Sequence, residues 1–264
     1  MPAQPFVSLI ESSANPLVKE LRRLAQDSNA YRRLGRIWLE GDHLCSAALV
    51  RGQRPALAVF SESFWPVASA QYREAAIKNV VIADALWASF SALESPAPMG
   101  FVLDWQPAQE LWQDAPTVVL DRLQDAGNVG SILRSAAAFG FIQIAAIRGT
   151  AALWSPKVLR AGMGAHFALR LVEGLEAQTL AETLRLPLLV TSSHQGQWLH
   201  QAQLPWPCAW VMGHEGQGVS GLLEQRATGH IRIAQPGGEE SLNVAAAAAI
   251  CLHASAACAE PMRT

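Results

Sequence analysis

What most constrains this chain is its alternation of period. From Thr117 onward, short β-branched or apolar runs near 117–120, 142–147, 187–191, 208–212 and 231–233 are separated by helix-length segments near 129–139, 155–162, 177–184, 219–226 and 241–257. Strands that alternate with helices imply an α/β fold, a mainly parallel sheet covered on both faces. Ligands of such sheets sit at the carboxyl ends of the strands, so the loops there are the places to look for function. A similar alternation in shorter pieces comes first. Asn15 followed by Pro16 predicts a capped helix with Leu17, Leu21 and Leu24 at helical spacing. Strands are expected at 37–39, 56–60 and 80–82 and helices at 42–51 and 67–78, with Asp84 capping another through Leu93. Pro96, Pro98, Pro107 and Pro116 punctuate the stretch between the two series. The expected organisation is a small α/β domain over 1–104, a linker at 105–114 and a larger α/β domain over 115–264.

Composition excludes several classes. Half of the 264 residues are apolar and only 16% are charged, which is a folded chain and not a disordered one. The longest strictly apolar run, Val244 to Leu252, is far shorter than the ~20 residues that span a bilayer, so no membrane partner is expected. The start lacks a basic segment followed by an apolar one, and a cytoplasmic location is the expectation. Cys45, Cys208, Cys251 and Cys258 show no C-x-x-C pair and no histidine at ligand spacing, so reduced structural thiols and no metal are expected.

The net charge is −2, but it is unevenly spread. Residues 19–36 hold Lys19, Arg22, Arg23, Arg32, Arg33 and Arg36 against Glu20 and Asp27. Such a strip is either a solvated helix face or a phosphate-binding footprint, and arginine's bidentate fork favours the second. Lys19, Arg22, Arg23, Arg32 and Arg33 are the candidate RNA-binding residues.

Three polar, glycine-containing loops follow strands of the second series. The first is Asp121-Arg122-Leu123-Gln124-Asp125-Ala126-Gly127-Asn128-Val129-Gly130, leading to Arg134. Asn128 reads as a helix N-cap, and Arg134, on the face of Gly130, is expected to lean back toward it. A helix N-terminus beside an arginine suits phosphate or a developing oxyanion. The second is Gly213-His214-Glu215-Gly216-Gln217-Gly218, whose glycines allow tight turns and close backbone approach. Its G-x-x-G-x-G spacing is not the dinucleotide fingerprint, which argues against a nicotinamide oxidoreductase. The third runs from Ile233 through Pro236, Gly237 and Gly238 to Ser241, Leu242 and Asn243, with Ser241 a plausible cap for the alanine-rich helix that follows.

In this order, N-x-G-x-x-x-R, G-x-E-G-x-G and I-x-x-P-G-x-x-x-S-L-N-V resemble the three motifs of the SpoU (TrmH-like) RNA 2′-O-ribose methyltransferases of the SPOUT superfamily. The resemblance runs from Thr117 to about Ser255 and includes Ser155–Phe167 with Arg160, Gly164 and Ala165. Asn15-Pro16-x-Val18-Lys19 and Leu39-Glu40-Gly41-x-His43 are similar to the small RNA substrate-binding domain often fused in front. The family implies a deep trefoil knot, S-adenosylmethionine as cofactor and a homodimer through the C-terminal domain. It implies cofactor binding by Met212, Gly213, Gly218, Ile233 and Leu242. The catalytic set it implies is Arg134, Asn128, Glu215, Asn243 and Ser241. Two departures stand out: His214 occupies a position commonly Ser or Asn, and Ala234-Gln235 replaces a usual Pro-Met pair.

The implied reaction moves a methyl group from a sulfonium to a ribose 2′-hydroxyl, which must be aligned and must lose a proton. A guanidinium keeps its proton, so the expected role of Arg134 is to position phosphate and stabilise the growing alkoxide, in a site shared across the dimer. Ribosomal RNA is the expected substrate. The alternatives are a transfer-RNA ribose methyltransferase and a non-catalytic RNA-binding or ribosome-assembly factor that keeps the fold.

Overall fold

The computed structural model describes residues 6–91, 93–108, 110–192, 195–237 and 241–259. It divides into two compact units, one of Met1–Gln106 with Trp154–Phe167, the other of Pro107–Leu153 with Ala168–Thr264.

The first unit contains β1 (Phe6–Ile10), α1 (Pro16–Gln26), α2 (Ala30–Leu34), β2 (Arg36–Glu40), α3 (Asp42–Val50), β3 (Leu57–Ser61), α4 (Ala70–Arg73), β4 (Lys78–Ile82), α5 (Asp84–Trp87) and β5 (Met99–Asp104). The described strands form one sheet in the order β1-β4-β3-β5-β2, parallel from β1 to β3 and antiparallel at β5 and β2. Asn15 caps α1, its Oδ1 accepting from the Leu17 N–H at 2.9 Å with Pro16 at the first helical position, and Val18, Leu21, Leu24 and Ala25 form the buried face.

The helices expected at 67–78 and through Leu93 shrink to α4 and α5, and Asp84 sits at the first position of α5, where it accepts from Ser63. Strands β1 and β5 and helix α2 were not anticipated. Strand β5 starts directly after Pro98, at the edge of the stretch that the prolines had marked as connecting chain, and its first five residues are buried.

The second series runs β6 (Thr117–Asp121), α6 (Ala126–Ala138), β7 (Gln143–Ile147), α7 (Pro156–Gly162), β8 (Arg170–Leu175), α8 (Ala177–Thr183), β9 (Leu188–Thr191), β10 (Gln197–Trp198), β11 (Ala209–Gly213), α9 (Gly221–Arg226), β12 (Gly229–Arg232) and α10 (Val244–Cys258). Helix α7 belongs to the first unit. The described strands of the second unit form a sheet ordered β10-β12-β9-β11-β6-β7-β8, parallel at every pairing, which is the mainly parallel α/β sheet expected. Strand β8 is an element the sequence pattern did not single out.

One cluster of its core is Val119, Ala145, Leu188, Val190, Ala209 and Val211 on the strands, covered by Leu180, Leu184 and Leu223. Helix α10 packs against α6 and β11. It is pinned by Ser255, fully buried, whose Oγ accepts from Trp210 Nε1 at 2.8 Å. Burial pushes the neighbouring thiols up, Cys208 to about 11 and Cys251 to about 12, so both stay protonated and inert at neutral pH. No helix among the described residues is long and apolar enough to cross a membrane.

Candidate active site

Register brings the first two loops together. Gly213, the last residue of β11, lies opposite Asp121, the last residue of β6, so both chains leave the sheet side by side at its carboxyl end. Asp125 caps α6: its Oδ1 accepts from the Asn128 N–H at 2.7 Å. Asn128 is therefore the third residue of the helix and not its cap, a correction that frees its side chain for other partners. The cap of α10 is likewise corrected from Ser241 to Asn243, whose Oδ1 accepts from the N–H groups of Ala245 and Ala246 at 2.9 and 3.2 Å.

The side chains of all three loops join in one network. Glu215 Oε1 accepts from the Asp125 N–H at 3.2 Å and from Asn128 Nδ2 at 3.3 Å, while its Oε2 accepts from the Gln124 N–H at 3.4 Å. Asn128 Oδ1 accepts from Asn243 Nδ2 at 2.9 Å. Thus Glu215, Asn128 and Asn243, far apart in sequence, form a relay in which Asn243 donates to Asn128 and Asn128 to Glu215. Partial burial pushes the Glu215 carboxyl up, but hydrogen bonds from its own loop backbone, Asn128, Asp125 and Gln124 together outweigh this, and the carboxyl ends below its ordinary value. It is an ionised acceptor at neutral pH, which makes it unsuited to take a proton from a hydroxyl and suited to hold geometry.

Beside the relay lies a cleft of about 670 Å³. Gly213, Gly218, Ile233, Ser241, Leu242 and Asn243 line it. Met212 does not; it is fully buried within β11. Gly213 tolerates no side chain, because a Cβ there would come within 2.5 Å of the Val219 nitrogen and into the Gly218 carbonyl group. The turn closes through reciprocal bonds between His214 and Gly218, with Gly218 at φ 70°. His214 Nδ1 accepts from the N–H groups of Gly216 and Gln217 at 3.0 and 3.2 Å. A Ser or Asn oxygen would satisfy the same donors, which explains why a histidine is accommodated here; its proton is then on Nε2.

Arg134 is not part of the relay. It is exposed on α6, makes no hydrogen bond or ion pair among the described residues, and does not reach Asn128 as the sequence reading had it. Six positions along a helix turn by about 240°, so the two side chains leave different sides of the axis. Sequence reasoning passed over Asp121, Arg122 and Asp125. The signal available for the last was an aspartate just before the helical run.

The candidate RNA-binding residues divide. Lys19 and Arg23 are exposed one turn apart on α1. Arg22 instead ties α1 to the backbone and hydroxyl of Ser89, through Nε at 2.9 Å and Nη2 at 3.2 Å. Arg33 pairs with Asp27, and Arg32 bonds Asn29 and lies over the Tyr31 ring.

The sequence model of the SpoU rRNA Methylase family matches residues 115–253. An uncharacterised tRNA/rRNA methyltransferase of Synechocystis is 31% identical, covering 96% of this chain and 94% of its own. The 23S rRNA (guanosine(2553)-2′-O)-methyltransferase of Bacillus subtilis is 27% identical, covering 92% and 97%. A solved AdoMet-bound rRNA methyltransferase of Sinorhizobium meliloti superposes with a TM-score of 0.81 at 23% identity, covering 94% and 97%, a likeness of fold.

Proposed function

The chain belongs to the SpoU rRNA Methylase family, and from that premise we propose that its substrate is ribosomal RNA, bound in part by residues 1–104 and methylated at the site built by the three loops of residues 115–264. It is an RNA 2′-O-ribose methyltransferase that uses S-adenosylmethionine. The observation that carries the placement of the site is the Glu215–Asn128–Asn243 relay at the rim of the cleft.

The cleft fits the cofactor. Its size is that of a small-molecule site, and its walls combine apolar Ile233, Leu242 and Val244 with the backbone of a glycine turn. Glu224, also on the wall, suits the positive charge of a sulfonium or ammonium group. When bound, the cofactor supplies an electrophilic methyl group. Gly213, Gly218, Ile233 and Leu242 would hold it, while Met212 stays buried in β11 next to Gly213. Asn128 and Asn243 orient the incoming ribose, and Glu215 fixes Asn128. Ser241, exposed at the rim, faces the same space.

Arg134 fits this scheme as the group that meets the RNA from outside, gripping the phosphate next to the reacting ribose and stabilising the developing alkoxide. Its exposed position away from its own relay supports a homodimer in which α6 of one protomer completes the site of the other. The return of the chain supports the threaded, knotted topology. Strand β12 lies two strands beyond β11, yet Asn243 bonds Asn128 at the start of α6, which follows β6 on the other side of β11. Ribosomal RNA is favoured over transfer RNA by the 23S relative, and Lys19 and Arg23 supply a phosphate footprint on the front unit.

The test is competition between substrates: undermodified ribosomal RNA and transfer RNA are offered together with labelled cofactor, and ribose-methylated nucleosides are identified by mass spectrometry. Label in ribosomal RNA is expected. Label confined to transfer RNA would replace the substrate, and no transfer to either would favour an RNA-binding assembly factor.

A further inference from the structure

The cleft is walled by a loop that has to keep its shape without a bulky core of its own, and one side chain outside the relay reaches it. Arg122, just after β6, has φ 63°, a conformation that costs energy for any L side chain. Its backbone is held there by Thr150, whose Oγ1 accepts from the Arg122 N–H at 3.1 Å and donates to the Leu120 carbonyl at 2.9 Å. From this position the guanidinium reaches three acceptors. Nε donates to Asp121 Oδ1 at 2.9 Å, Nη1 to Gln217 Oε1 at 3.0 Å and Nη2 to the Gly218 carbonyl at 3.4 Å.

Asp121 is fully buried, and its other oxygen accepts from the Ser220 N–H at 2.5 Å. The pair therefore grips the loop at Gln217, Gly218 and Ser220, while His214 closes the same turn from within. Gly218, whose carbonyl receives the arginine, lines the cleft, and its N–H and carbonyl also pair with His214. A fork is needed for this; an ammonium at the end of a lysine presents its donors from one point and spans fewer of these acceptors.

We propose that Arg122 is a positioning residue for the cofactor, bracing the Gly213–Ser220 turn in its binding shape while touching neither the methyl group nor the RNA. The inference rests on the cleft being the S-adenosylmethionine site. It assigns a role in cofactor affinity, separate from the chemical step, to a side chain outside the family's motif positions.

The test compares wild type with Arg122→Gly, Arg122→Lys, Gln217→Ala and the double variant Arg122→Gly/Gln217→Ala. Cofactor Kd is measured by calorimetry, Tm by thermal unfolding, and kcat at saturating cofactor by methyl transfer. Glycine removes the guanidinium and also relieves the left-handed backbone, so Tm is expected to stay close to wild type. Cofactor Kd is expected to rise about tenfold with kcat at saturation within about threefold, the loss of a charge-assisted hydrogen-bond brace. Lysine recovers part of the affinity. Gln217→Ala weakens binding less, because it removes one of the three acceptors, and the double variant is no weaker than Arg122→Gly alone, since Gln217 acts through its bond to Arg122.

Unchanged Kd in Arg122→Gly, or a fall in kcat at unchanged Kd, overturns the proposal. If Arg122→Gly proves unstable, Gln217→Ala decides: normal Kd there overturns it equally. Failure of wild type to bind the cofactor would instead overturn the reading of the cleft on which the brace depends.

Discussion

The basic strip of the front unit and the three loops of the second unit look alike in sequence, each a cluster of polar residues with an ordinary structural explanation. The structure treats them oppositely. In the strip the charges disperse: Arg22 is consumed by Ser89, Arg33 by Asp27, Arg36 by Glu20 and Asp104, and Lys19 and Arg23 face solvent. In the loops, residues up to 115 positions apart converge, and Glu215, Asn128 and Asn243 are spent on one another at the edge of a cleft. Proximity in sequence thus says little about shared function, whereas convergence through a parallel sheet's carboxyl end says much.

The sharpest way to break this comparison is at Arg134, an exposed cation of the second unit that makes no hydrogen bond or ion pair among the described residues. Arg134→Ala is expected to lower kcat by about 10²–10³ while leaving cofactor Kd unchanged, the scale of losing a donor to developing charge. Arg134→Lys should recover little, because a fork is what meets phosphate bidentately. Single-turnover methyl transfer measures both. Next in size is Glu215→Ala, which strands the Gln124 and Asp125 N–H groups and Asn128 Nδ2 together; kcat/KM should fall by roughly 10–100-fold. An effect smaller than that of Lys19→Ala would mean that the relay is only scaffolding.

The strip offers a finer contrast. Lys19→Ala and Arg23→Ala should each weaken RNA binding a few-fold and reduce its salt slope by about 1, with Tm unchanged, read by filter binding across a salt series. Arg22→Ala should do the reverse, lowering Tm by about 2–4 °C for a loss of about 1 kcal/mol, with little change in the slope. The smallest effect concerns pH. Because the folded Glu215 carboxyl lies below its ordinary value, its contribution to loop order is fully present above that value, near 4.5, and is lost as pH falls through the lowered folded one. The Glu215 contribution to kcat/KM should therefore persist between pH 8 and about 5, and its loss at more acid pH should be missing in Glu215→Gln, which has no titrating group and keeps one of the two acceptor oxygens.

Much of the second unit was legible because its strands are buried on both faces and its helices are of ordinary length, so runs such as Thr117–Leu120 and the alanine-rich helix announce themselves. Strands β5 and β8 were not: β5 follows a proline, and β8 carries exposed or half-exposed positions that dilute its apolar pattern. The motif residues marked where the site is, but not who touches whom. With Asp125 as the cap, Asn128 and Arg134 both lie inside α6, and six positions of helix turn them about 240° apart, which is why they do not meet. Contacts made by Arg122 depend on a positive φ at a residue that is not glycine, and propensity gives no hint of it.

The central claim is that the converging loops perform ribose methylation with Arg134 acting on the RNA side. The most direct measurement is mass spectrometry of nucleosides from ribosomal RNA after reaction with wild type and with Arg134→Ala, with cofactor Kd determined on the same preparations. The account predicts a 2′-O-methyl nucleoside with wild type, its loss in the variant, and the same cofactor affinity in both. A methyl group on a base, or a variant as active as wild type, would contradict it.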